Sequence, residues 1–334
     1  MFGRSKAEAA QKLRTALSAR DAGTPQPSAK ETVGPFLEAW LAATQANVRP
    51  RTFVSYSQIV RDHLAPTLRS TPLTRLQPVQ LQRLYTQLLE QGKTPKTVAN
   101  VHRVMHRALN QAQRWRLATA NVADLVDPPR QRRPEMKALS PEQARQVLKA
   151  AHGDDLEALW VVALTTGLRQ GELLALRWPD VDLDRGSLRV VASLIRIVGL
   201  EPQLAEPKSR RSRRQVELSA GAVDALRRRR ADAPSIGFVF ARPDGRPLSV
   251  TTTWKRWRRL LERAKVPAMP FHSARHSAAS LLLSRGVHPK IVSEMLGHST
   301  VAITLDVYSH VTPAMHREAA KMMDELLRPV SADC

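Results

Sequence analysis

Apolar residues recur at three- and four-residue spacing through four consecutive stretches between Thr32 and Arg116. They are Phe36, Leu37, Trp40 and Leu41; Tyr56, Ile59, Val60, His63 and Leu64; Leu81, Leu84, Tyr85, Leu88 and Leu89, halted by Gly92; and Val98, Val101, Met105, Leu109 and Ala112. That period marks one face of an amphipathic helix, and four such helices close a small bundle. The pattern breaks at DPPRQRRPEMK, Asp127 to Lys137, whose prolines forbid a continuing helix. It restarts at Ser140-Pro141-Glu142-Gln143, where Ser140 is a natural N-cap, Pro141 suits the first helical position and Gln143 can reach back to the cap. Next, DLEALWVVALTTGLRQGELLALRWPDV predicts two helices joined at Thr166-Gly167, the first apolar on nearly every side and therefore buried.

One region reads as β structure. A turn at Asp184-Arg185-Gly186 precedes the continuous β-branched run SLRVVASLIRIV, and RQVELS alternates around Val216 and Leu218. Helices resume from Ala220 to Arg230 and in TTTWKRWRRLLERAK, where Trp254 and Trp257 are expected in the core with arginines outside. After the last apolar helix, where Ile303 and Val307 are expected to face inward, TPAMHREAAKMMDELLR predicts a short amphipathic tail. At the other end, Met1 to Arg20 predicts a basic helix, followed by the Gly/Pro linker DAGTPQPSAKE. The expected organisation is thus residues 1–30 as helix and linker, 31–126 as a helical bundle, 127–137 as an interdomain linker and 138–330 as a second, α+β domain. The chain is expected to be mainly α with a small antiparallel β-sheet.

Charge narrows the partners. There are 52 Lys+Arg against 30 Asp+Glu, a formal net charge of +22, spread over most of the 334 residues. Such a field favours a polyanion, most simply nucleic acid. The bundle helices carry Arg49, Arg51, Arg61, Lys93, Lys96, Arg103, Arg107 and Arg114 with almost no balancing acid, and the linker adds Arg130, Arg132 and Arg133. Phosphate contacts are expected there. No apolar run approaches the roughly 20 residues of a membrane-spanning helix, and no signal peptide opens the chain, so a cytoplasmic protein is expected. The single cysteine, Cys334, excludes a disulfide framework and a cysteine-based zinc site.

The chemistry-bearing residues cluster late. FHSARHSAASLLL brings His272, Arg275 and His276, EMLGHS brings His298 in a Gly-containing turn, and TLDVYSH brings Tyr308. The i, i+4 histidines suit zinc spacing, but no glutamate lies between them and no carboxylate or thiolate set is nearby, so no metal is expected. Upstream, Arg169 and Glu172 share a helical face at the rim of a buried core, and by spacing alone they are equally well an internal ion pair. QLAEPKSRRSRR places Lys208 ahead of Arg210, Arg211, Arg213 and Arg214 at a hairpin tip that can reach a DNA groove.

These stretches together resemble the tyrosine recombinase (phage integrase) family. TTGLRQGELLALRWPDVDL is similar to its first arginine signature, EPKSRRSRR to its β-hairpin lysine element, HSARH to its His-x-x-Arg-His box, LGHS to the turn after it and TLDVYSH to its tyrosine box. The order and spacing cover the whole second domain, and the helical region before it resembles the family's core-type DNA-binding domain. Ser273-Ala274 departs from the acidic residue and leucine common there, and an altered local fit is expected.

The resemblance implies a site-specific DNA recombinase that cuts through a 3′-phosphotyrosyl intermediate and a Holliday junction. It implies Tyr308 as nucleophile, Arg169, Arg275 and His298 on the attacked phosphate, His272 assisting proton removal from Tyr308, Lys208 as general acid, Glu172 holding Arg169, and His276 in support. It further implies double-stranded attachment sites, a homotetramer on DNA joined through C-terminal helices, a DNA-bending accessory protein and no cofactor. The N-terminal helix resembles the last helix of an arm-type domain whose sheet is missing, as in a short integrase or one beginning upstream. Two alternatives stay open: an inactive DNA-binding protein with this fold, and a type IB topoisomerase-like enzyme.

Overall fold

The computed structural model describes residues 7, 31–131, 137–196, 201–205, 213–231, 237–298, 300–307 and 323, without the side chains of 303, 306 and 307. The chain divides into two compact units, Met1–Pro134 and Glu135–Cys334.

The first unit is built on α1 (Val33–Gln45), α2 (Pro50–Ile59), α3 (Pro78–Glu90) and α4 (Pro95–Arg114). Proline opens three of them, where its fixed φ suits the helix and its missing N–H costs nothing. The helix begun by α2 runs through a π turn, Val60–Leu64, into Ala65–Leu68. Pro66 explains the widening, since its ring would strike the carbonyl four residues back in a regular α-helix. The anticipated apolar faces meet in one core around Phe36, Trp40, Leu64, Leu81, Tyr85, Val101, Met105 and Leu109. Leu89, read as part of that face, is 38% exposed because it falls in the last turn of α3, beyond the packed stripe. Arg61, read as unbalanced, bonds Asp62 at 2.8 Å. Arg103 donates to Asn100 and Arg107 to Tyr56, and both, like Arg130, are exposed.

In the second unit, α5 (Pro141–Ala151) begins with the anticipated cap: Gln143 N donates to Ser140 Oγ at 3.2 Å, and Ser140 N donates to Gln143 Oε1 at 3.0 Å. Helix α6 (Glu157–Thr166) is buried along most of its length, and α7 (Gln170–Leu174) follows. The strands β1 (Val181–Asp182), β2 (Ser187–Val190) and β5 (Arg214–Glu217) form an antiparallel sheet in the order β1-β2-β5, with Leu188 opposite Val216. The run read as one strand is divided: β3 (Ser193–Ile195) leaves that sheet and pairs with β4 (Gln203–Ala205). There β3 packs on α7, crossing so close to Gly171 that a Cβ there would stand 2.6 Å from the Leu194 carbonyl oxygen.

Helices α8 (Ala220–Ala231), α9 (Val250–Arg263), α10 (His272–Ser284), α11 (Pro289–Leu296) and α12 (Val301–Val307) complete the unit. Trp160, Trp257 and Phe271 pack ring against ring at 5.6–6.0 Å, and Trp257 Nε1 donates to Met269 O. Trp254 does not join them: it is 42% exposed with the Arg258 guanidinium over its ring, because only the face of α9 carrying Trp257, Leu260 and Leu261 meets the core. The expectations for Met1 to Arg20 and for the tail after Tyr308 lie outside the described residues, as do the side chains of Ile303 and Val307.

Candidate active site

Glycine turns bring three distant stretches of the second unit together. Gly167 ends α6 in the left-handed conformation at φ 63°, and a Cβ on it would meet Leu296 Cδ2 at 2.4 Å, so α6 closes directly onto α11. Its carbonyl accepts a hydrogen bond from Arg275 Nη1 at 3.0 Å. Gly297 ends α11 in the same way at φ 68°, where a Cβ would come within 2.8 Å of Arg214 Nη1. Side chains at these positions would force the three stretches apart.

Around these turns the polar groups converge on Glu172, which is 7% exposed. Its Oε2 accepts from the Arg169 backbone N at 3.0 Å and from Arg214 Nη2 at 2.9 Å, while Oε1 accepts from Arg169 Nη1 at 2.8 Å. Arg169 Nη2 donates to Gly297 O at 2.9 Å, and Arg214 Nε donates to Met295 O at 2.6 Å. One carboxylate thus fixes two guanidiniums, and both are also tied to the turn that presents His298. Burial pushes the Glu172 carboxyl upward, but the bonds and charge of Arg214 and Arg169 outweigh it and hold the group below its ordinary 4.5.

Arg275 is 3% exposed, and its Nη2 has no hydrogen-bond partner among the described residues. Burial, then the neighbouring Arg169 cation, pushes its pKa down to about 9, which leaves it charged at neutral pH. Among the described residues, three guanidiniums therefore stand against one carboxylate. His272 lies one turn before His276, and the two rings meet edge to face at 4.7 Å. His298 Nδ1 lies 2.8 Å from the hydroxyl of the buried Thr304. Loss of hydration, reinforced by the surrounding cations, pushes both His272 and His298 down to about 4. Both rings are neutral at pH 7 and keep a lone pair beside a donor N–H. Burial, then Arg275, also lowers His276.

Among the residues singled out by sequence, Arg169, Glu172, His272, Arg275, His276 and His298 all lie in this second unit, and Arg169 and Glu172 are bonded to each other. Lys208, Arg210, Arg211 and Tyr308, with Arg132 and Arg133 of the linker, lie outside the described residues. Thr304 was not singled out, and Arg214, read as one of the arginines of a hairpin tip that can reach DNA, is instead buried against Glu172. Arg214 hid in a run of arginines, yet it stands two residues before Val216 on the alternating strand and so shares its inward face.

Comparison with known proteins decides the family. Residues 137–315 match the Phage integrase family, and residues 32–89 match the Phage integrase N-terminal SAM-like domain. The chain belongs to the phage integrase family. As a member of this family of tyrosine recombinases it is an enzyme of site-specific DNA recombination, one that cuts and rejoins DNA. It is similar to a XerC-like tyrosine recombinase of Caldanaerobacter subterraneus subsp. tengcongensis, 28% identical with 97% of this chain and 91% of the relative aligned. An integrase of Streptomyces ambofaciens is 29% identical over 98% of this chain and 88% of its own length.

Solved structures share the integrase's fold. The Tn1549 transposon integrase in complex with a circular intermediate DNA superposes with a TM-score of 0.75 at 22% identity, covering 87% of this chain and 99% of that one. A lambda integrase tetramer bound to a Holliday junction gives 0.68 at 16% identity, covering 92% and 88%. The expected fold class, mainly helical with small antiparallel sheets, is the one observed. Among the described residues no helix is long and apolar enough to cross a membrane.

Proposed function

We propose that this integrase cleaves one strand at each of its target sites by attack of Tyr308 on a phosphodiester held by Arg169, Arg275 and His298. The observation that carries the reading is the Arg275 guanidinium: deeply buried, cationic and carrying an Nη2 without a partner among the described residues, next to a second guanidinium. A buried donor without an acceptor is costly, and a planar fork of N–H groups fits the non-bridging oxygens of a phosphate. As the Tyr308 oxygen bonds to phosphorus, the P–O5′ bond breaks, and the equatorial oxygens gain the charge these donors stabilise. His272, neutral at working pH, takes the phenolic proton, while Lys208 supplies one to the departing 5′ oxygen. One phosphoester replaces another, so the bond energy is kept for rejoining and no cofactor is consumed.

The same chemistry, run with a 5′ hydroxyl from a second duplex, yields a Holliday junction, and two rounds complete recombination. The working assembly is a homotetramer on double-stranded attachment sites, with residues 31–126 as the core-type DNA-binding domain, 127–137 as linker and 138–330 as the catalytic domain. The exposed Arg103, Arg107 and Arg130 serve as phosphate contacts, and Arg132, Arg133, Arg210 and Arg211 add to them. His276 supports His272, a DNA-bending protein assists, and the enzyme works in the cytoplasm. The test is Tyr308→Phe on a nicked suicide substrate carrying the site: it should bind as the parent does and form no covalent adduct. An adduct that persists in that variant overturns the assignment.

A further inference from the structure

Thr304 is fully buried on α12, four residues ahead of Tyr308 in the sequence, and its Oγ lies 2.8 Å from His298 Nδ1. A buried hydroxyl must donate its proton to something, because leaving it unpaired costs a full desolvation penalty. Thr165 and Thr166 solve this by donating to carbonyls one turn back in their own helix. Thr304 makes no such bond among the described residues, where His298 Nδ1 is its one recorded partner.

We infer that Thr304 is a positioning residue: its hydroxyl donates to His298 Nδ1, which fixes the neutral imidazole as the Nε2–H tautomer and makes Nε2 a hydrogen-bond donor. A neutral ring has a single N–H, so whichever nitrogen accepts from Thr304 dictates which one can donate to an anion. The backbone holds the ring from the other side, since His298 N donates to Ser293 O at 3.0 Å and Gly297 O is gripped by Arg169. The helix that leads into the nucleophile therefore also arms the histidine. If α12 withdraws, His298 loses both its orientation and its tautomer. The consequence for reaction rests on the proposed role of His298 as a phosphate donor; the tautomer itself does not.

The test has two independent readouts on the full chain. Nitrogen-15 spectra of histidine-labelled protein without DNA, with His298 assigned by loss of its signals in His298→Gln, report the tautomer directly. The parent should show His298 with the proton on Nε2, Thr304→Ser should keep it, and Thr304→Val, which matches threonine in shape but has no hydroxyl, should show a mixture. On the suicide substrate, Thr304→Val should cleave about 10- to 100-fold more slowly at unchanged DNA affinity, the loss expected when a donor aimed at the phosphate is misdirected. Thr304→Ser should restore most of the rate. A parent His298 protonated on Nδ1 overturns the inference, even if Thr304→Val does not fold. So does a Thr304→Val protein that keeps both tautomer and rate, or one that only melts earlier. If His298→Gln cleaves like the parent while the tautomer lock is observed, the phosphate role of His298 has failed and the lock stands.

Discussion

Glu172→Gln tests the centre of the site most directly. The substitution preserves shape and removes the charge on which Arg169 and Arg214 converge. Arg214 and Glu172 form a pair in which both side chains are buried, 7% and 6% exposed, and breaking such a pair by neutralising one partner costs about 3–5 kcal/mol. Arg169, at 39% exposed, is screened by solvent, so its half of the interaction adds at most about 1 kcal/mol. The sum is a large share of the roughly 5–15 kcal/mol that holds a typical domain together, so the variant should fold but unfold early. Arg169 would also lose its bidentate anchor of backbone N and Nη1, and a misplaced phosphate donor costs about 10²–10³ in rate.

The pH dependence follows with a definite sign. Because the folded-state pKa of Glu172 lies below its ordinary 4.5, its contribution is present above pH 4.5 and is lost as pH falls through the folded value. Urea unfolding of the parent, followed by tryptophan fluorescence, should therefore weaken below pH 4.5 more steeply than that of Glu172→Gln. Single-turnover cleavage at pH 7 supplies the rate. A variant that unfolds within about 1 kcal/mol of the parent and cleaves at the parental rate would refute the two-arginine anchor, given the cost expected for a broken buried pair.

Two further outcomes are expected besides the Tyr308→Phe test. Gly171→Ala should lower the unfolding midpoint and slow cleavage, because its Cβ would stand 2.6 Å from a backbone oxygen of β3; a midpoint equal to the parent's would show that β3 yields freely. In a proton titration of free protein, His272 and His298 should protonate well below the ordinary 6.5, near 4, so the fold gains stability from them as pH rises through that window. Adding site DNA should move both midpoints upward, since a phosphate offsets the cations that add to the effect of burial; midpoints that stay put would place the phosphate elsewhere.

Local rules carried the sequence reading where one element decides its own form. The cap at Ser140, the stripe of α4 and the buried α6 follow from spacing and residue type alone. Arg169 and Glu172 were visible from their three-residue spacing, but were read as one helical face; Arg169 is instead the extended N-cap of α7 and Glu172 the third residue after it. What was missed depends on partners remote in the chain. The break between β2 and β3, where β3 comes to lie against Gly171, has no mark within the β-branched run itself. Arg214 acquires its meaning from Glu172, forty-two residues earlier, and Thr304 from a histidine across a turn. Trp254 and Trp257, three apart, fell on opposite sides of a boundary that only the packed core of the second unit defines.

The surplus of guanidinium over carboxylate around Glu172 also bears on how the protein lives without its substrate. The buried cations Arg214 and Arg275, with the half-exposed Arg169 beside them, store repulsion that cannot relax unless Arg169 and Arg214 release the carboxylate and the turns they hold. A phosphate discharges it. Anything that binds the folded chain and not the unfolded one raises its stability with the logarithm of its affinity, so on the proposed reading the target DNA would complete the second unit's interior as well as serve as substrate. On the function proposed above, the second unit off DNA trades robustness for readiness, its least comfortable residues being those proposed to hold the phosphate.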